Sequence, residues 1–77
     1  MNFNNDIELY NTISKNIKRY RKQANLTQIQ LAEEIDISIS YLSKIEALSC
    51  NKSLSISVLN QISNALNVEI TDFFKEV

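Results

Sequence analysis

The chain has 77 residues, 44% of them hydrophobic and 22% charged, with a formal net charge of -1. That composition describes a folded protein rather than a disordered tail, and the length allows one small domain with a single apolar core and no separate ligand-sensing domain. Its purely apolar runs are at most two residues long, too short to span a membrane, and the opening "MNFNNDIELYN" lacks the basic start and apolar stretch of a signal peptide, so a cytoplasmic location is expected.

The chain contains neither glycine nor proline. Every reversal must therefore be made by residues with a β-carbon, and Asn and Asp are the least reluctant of these to take positive φ. Asn25, Asp36, Asn51 and Asn67 stand where periodic apolar runs end or are interrupted. Between these breaks the 3.6-residue spacing predicts five helices. The first runs from about Ile13 to Ala24, with a start as early as Asp6 left open, and lines up Ile13, Ile17, Tyr20 and Ala24 on one stripe. Residues 1–12 are then an N-terminal extension able to continue into that helix, and residues 13–77 form the domain.

Thr27 caps the second helix, with Gln30 three residues on completing a capping box, and the inward residues are Ile29, Leu31, Ala32 and Ile35. Asp36 and Ile37 make a turn. Ser38 caps a third helix to about Ala47, with Tyr41 or Leu42 and Ile45 pointing inward. "LSCNKSL" reads as a polar loop. Ser55 caps a fourth helix, Ile56 to Leu66, which Asn67 ends in a left-handed cap, and Thr71 can cap a last short helix, "DFFKEV". "ISIS" does alternate apolar and polar residues, but a lone strand there would have no partner for its backbone hydrogen bonds. The expected class is all-α.

Several chemistries are disfavoured. The one cysteine, Cys50, cannot close an intramolecular disulfide, and with no histidine it has no usual metal co-ligand. Without His and Gly the common catalytic bases, phosphate loops and oxyanion turns are missing, so an enzyme is not expected, nor is a metal, a cofactor or a small-molecule ligand.

Charge distribution says more than its sum. Lys15, Lys18, Arg19, Arg21 and Lys22 crowd "KNIKRYRK" without an acid, while Glu33, Glu34 and Asp36 gather elsewhere. Such a segment can steer a polyanion or can simply be a solvated helix face. The second and third helices decide the emphasis. Two helices of about eight residues, joined by so short a turn, form a helix-turn-helix in which Ala32 permits close approach and Ile37 drops between them. One face of the third helix, Ile39, Ser40, Ser43 and Lys44, is left bare, and the DNA major groove is wide enough to admit it.

"LTQIQLAEEIDISISYLSKIE" resembles the helix-turn-helix of the Cro/CI (XRE) family of phage and bacterial repressors, and "SLSISVLNQISNALNVEITDFF" is similar to that family's fourth and fifth helices. The resemblance implies a compact five-helix bundle of the lambda-repressor-like type, binding double-stranded operator DNA as a two-fold homodimer. It implies that Gln28 hydrogen-bonds a phosphate, that Ile39, Ser40 and Lys44, with Ser43 close by, read bases, and that Arg21 and Glu46 form an ion pair between the first and third helices. Asp36 departs from the glycine common in the family's turn, and "ALSCNKS" lacks the glycine or proline often found in the next loop.

Read chemically, Gln28 at a helix start can serve a phosphate or only the cap. Ile39 can meet a thymine methyl, Ser40 can pair with any base, and Lys44 can reach guanine or a phosphate. Ser38, Lys18, Asn51, Lys52 and Ser53 are further phosphate candidates, the last three also readable as solvated loop. Tyr41 can be core or can touch the sugar-phosphate backbone. Phe73, Phe74 and Val77 are expected at a homodimer interface. The competing reading is a protein-interaction module, such as an antitoxin or antagonist, that covers a partner protein with these residues and Ile7, Leu9 and Tyr10.

Overall fold

The computed structural model describes residues 2–48 and 53–76. Within them lie four α-helices, α1 (Asp6–Gln23), α2 (Gln28–Ile35), α3 (Ile39–Glu46) and α4 (Ile56–Leu66), followed by a short 3-10 helix, Ile70–Phe74, with no strand among the described residues.

Side chains start each α-helix. Asn5, Thr27, Ser38 and Ser55 each accept a hydrogen bond from the backbone N–H three residues on. At Thr27 the box closes fully, since Gln30 Oε1 also accepts from the Thr27 N–H at 2.9 Å. The early start of α1 at Asp6 follows from Asn5, whose side chain accepts from Glu8 N at 2.9 Å, and from the acids Asp6 and Glu8 at the positive end of the helix dipole.

Three helices stop in the same way. Asn25, Asp36 and Asn67 have φ of 60°, 57° and 56°. After each, the next residue's N–H reaches back five positions: Leu26 to Arg21 O, Ile37 to Ala32 O and Val68 to Ser63 O. These are Schellman turns built without glycine, and each is followed by an apolar residue packed on the core.

The core consists of Ile13, Ile17, Leu31, Ala32, Leu42, Ile45, Leu59, Ile62, Leu66 and Phe73. α1 packs on α3, α4 and the 3-10 helix, and α2 on α3 and α4. Two apolar residues expected inside sit elsewhere: Ile29 is 51% exposed on the first turn of α2, and Ala24 is exposed where α1 ends. Of the alternatives Tyr41 and Leu42, Leu42 takes the inward place and Tyr41 is partly buried against the core.

The fifth helix differs from expectation. It is capped by Glu69 and starts at Ile70, rather than being capped by Thr71 and starting at Asp72, and it is a 3-10 helix ending at Phe74. The Asp72 carboxylate accepts from Glu69 N at 3.0 Å while Asp72 N donates to Glu69 O at 2.9 Å, which tightens the turn to a three-residue repeat. Lys75, bonded to Asp72 at 2.9 Å, and the Glu69 N–H hold the Asp72 carboxyl below its ordinary value. Asn16, fully buried in α1, anchors this segment by donating to Phe73 O at 2.8 Å and Lys75 O at 2.7 Å.

Candidate nucleic-acid interface

The turn between α2 and α3 is fixed from both sides. Asp36 supplies the left-handed residue, Ile37 N donates to Ala32 O at 3.0 Å, and the Ile37 side chain packs on the core beside the buried Ala32. α3 therefore leaves the turn in one direction. Leu42 and Ile45 lock its inner side, and Ile39, Ser40, Ser43 and Lys44, spaced i, i+1, i+4, i+5, are exposed together on its outer side. Ser38, also exposed, uses its hydroxyl oxygen to cap Tyr41 N at 3.0 Å.

A buried polar network joins α1, α2 and α3. Arg21 Nε donates to Glu46 Oε2 at 2.6 Å and Arg21 Nη2 to Glu46 Oε1 at 2.9 Å, with side chains 8% and 2% exposed. The third guanidinium nitrogen, Nη1, donates to Leu26 O at 2.7 Å. Gln28, half-buried at the start of α2, donates from Nε2 to Glu46 Oε1 at 3.1 Å. Nearby, Ser14 Oγ donates to Ile45 O at 2.6 Å and so satisfies a carbonyl in the last turn of α3. Neither the Gln28 bond to Glu46 nor the roles of Ser14 and Asn16 stood out in the sequence. Their only signal was polarity at positions where the helix stripe is otherwise buried.

The basic segment of α1 divides into three uses. Arg21 is consumed by the buried pair. Arg19 lies over the Tyr20 ring at 4.3 Å and donates to Asn16 Oδ1 at 3.3 Å. Lys15, Lys18 and Lys22 remain, exposed at i, i+3 and i+7 on the face opposite the core. Of these, Lys18 is one turn from both Ser14 and Arg21, on the flank nearer the end of α3.

Past α3, the Tyr41 hydroxyl donates to Ser53 O at 3.0 Å, and Ser53 is exposed. Asn51 and Lys52, expected at phosphates, Cys50, and Val77, expected at a dimer interface, lie outside the described residues.

A family model described as helix-turn-helix matches residues 17–73. The chain belongs to the XRE-type helix-turn-helix family. It is 42% identical over 60 residues to the immunity repressor protein of Bacillus phage phi105. It is 40% identical over 62 residues to the HTH-type transcriptional regulator SlrR of Bacillus subtilis (strain 168). These matches take in 78% and 80% of this chain but 40% of each relative, so the chain spans about two fifths of their length. The crystal structure of SinR, a master regulator for biofilm formation, in complex with DNA superposes with a TM-score of 0.74 at 33% identity, covering 82% of this chain and 98% of that one.

The helix-turn-helix match begins at Ile17, whereas α1 begins at Asp6. The additional turns place Leu9, Tyr10 and Ile13 along an apolar groove of about 240 Å³, whose other walls are Leu54, Ile56, Leu59 and Phe74. Ile56 at its rim is 80% exposed. Phe73 is not part of this surface. Its ring is fully buried against Tyr20, edge to face at 6.0 Å, because the 3-10 turn points it inward, and the expectation of Phe73 at an intermolecular interface is corrected on that ground. No helix among the described residues is long and apolar enough to cross a membrane.

Proposed function

We propose that the chain is a sequence-specific double-stranded DNA-binding transcriptional regulator, a repressor that binds a palindromic operator as a homodimer. The observation that carries this reading is the outer face of α3. Ile39, Ser40, Ser43 and Lys44 are solvent-exposed together on a helix whose inner side is fixed by a rigid turn. Ser40, Ser43 and Lys44 offer donors and acceptors to base edges and Ile39 an apolar contact. Gln28, Ser38, Lys18 and Ser53, with Asn51 and Lys52 on sequence grounds, supply phosphate contacts that position the helix without reading sequence. The phage immunity repressor among the relatives and the DNA-bound SinR structure support the same reading. Phe74 and the groove it lines supply the homodimer contact, which spaces two recognition helices about one DNA turn apart.

Selection of sites from a random duplex pool, followed by titration at several salt concentrations, tests this. The expected result is an enriched inverted repeat bound far more tightly than random duplex, with both affinities falling as salt rises. Salt-independent binding, or no enriched motif, would refute the reading.

A further inference from the structure

We infer that Glu46 is a positioning residue for DNA binding, acting through Gln28. The inference rests on the DNA-binding reading above and adds the device that aims one of its phosphate contacts. Glu46 needs no second partner for its charge, because Arg21 already grips both carboxylate oxygens. Yet Oε1 also accepts from Gln28 at 3.1 Å. A carboxylate only accepts, so the Gln28 amide must turn its nitrogen inward, and that choice fixes the orientation of the whole group. One N–H stays on Glu46. The other has no partner among the described residues and is held ready to donate to a phosphate oxygen.

The support for this orientation is rigid. Glu46 is 2% exposed at its side chain and Arg21 8%, and Arg21 is tied in turn to Leu26 O beside the left-handed Asn25. A free glutamine at a helix start samples several rotamers and two amide orientations. Here the ordering cost of the contact is met when the protein folds, before DNA arrives. The end of the recognition helix and the first residue of α2 thus share one carboxylate, and the base-reading face and the phosphate contact are registered to each other.

The test is a cycle in operator affinity, with folding of every variant checked by circular dichroism. Gln28→Ala should weaken binding to all duplexes about tenfold and leave the salt slope unchanged, since a neutral amide displaces no counterion. Glu46→Asp keeps the charge on Arg21 but withdraws the acceptor from Gln28. It should weaken binding about fivefold in the parent chain and not at all in the Gln28→Ala background. If Glu46→Asp does not fold, Arg21→Lys, which loosens the fork while keeping the charge, should give the same non-additive pattern. Equal losses in both backgrounds would mean that Glu46 only supports the fold, and would overturn the inference. So would a Gln28→Ala variant that binds operator like the parent, which leaves the DNA-binding reading standing. A parent chain that binds no duplex would overturn both.

Discussion

Replacing Glu46 with alanine strands the Arg21 guanidinium. Of its three protein hydrogen bonds only the 2.7 Å bond to Leu26 O survives, at a site where the side chain is 8% exposed. Breaking a buried pair from one side costs about 3–5 kcal/mol, against ~0.5 kcal/mol for a pair in water. The surviving carbonyl bond sets the expected loss at the lower end, about 3 kcal/mol. A domain of this length has a total stability of roughly 4–12 kcal/mol, so the variant should lose a large share of it. Urea denaturation followed by far-ultraviolet circular dichroism measures this directly. With a slope of about 1 kcal/mol/M, the midpoint should fall by roughly 3 M. The pair Arg21→Met with Glu46→Leu should recover most of the loss, because neither charge is then left alone. A coupling energy below ~0.5 kcal/mol in the double-mutant cycle would refute the view that burial makes this pair decisive.

Other outcomes follow from the same structure. Ser40→Ala and Lys44→Ala should shift base preference at one or two operator positions by roughly 1–3 kcal/mol without changing stability, and identical selected motifs would refute that face. Lys18→Ala should weaken every sequence alike and lower the salt slope by about 0.9 for each phosphate that the lysine neutralises; an unchanged slope would exclude a phosphate partner there. Asn16→Ala strands the Phe73 and Lys75 carbonyls and should cost about 2 kcal/mol in thermal or urea unfolding, with a loss under ~0.5 kcal/mol showing that this anchor is dispensable. Ile56→Asp, at a position 80% exposed, should leave the fold intact and shift a sedimenting homodimer to monomer, and a dimer unaffected by it would remove the groove from the assembly.

The helix-turn-helix was legible because its determinants are local. A cap at Thr27, another at Ser38 and an Asp that accepts positive φ are each readable from a few neighbouring residues, and together they place α2, the turn and α3. The same holds for the outer face of α3. What was hidden depended on distant partners. Phe73 and Phe74 look alike in sequence, and only the 3-10 turn, drawn tight by Asp72 and anchored by Asn16, sends one ring to the core and the other to the groove. The basic run of α1 read as one cluster, because nothing local says that Arg21 turns inward to Glu46 while Lys15, Lys18 and Lys22 stay in water. The start of α1 was legible in principle. Asn5 followed three residues later by Glu8 is a capping signature, but it lies ahead of the apolar stripe that drew the first boundary.

The way α3 ends sets it apart from its neighbours. α1, α2 and α4 close on their own next residues, so their last turns can form whenever the helix does. α3 closes otherwise. Its cap residue Ala47 is extended, with φ of -76° and ψ of 147°, and its final turn is secured from other helices, by Ser14 and Arg21 on α1 and by Gln28 on α2. A fluctuation that lifts α1 should therefore release the end of α3 with it, through a bond between residues 31 positions apart, Ser14 and Ile45. In hydrogen exchange, the amides of Ile45, Glu46 and Ala47 should open together with the middle of α1 rather than fray alone. α3 is thus kept from melting locally by bonds on its far side, away from the exposed face of Ile39, Ser40, Ser43 and Lys44.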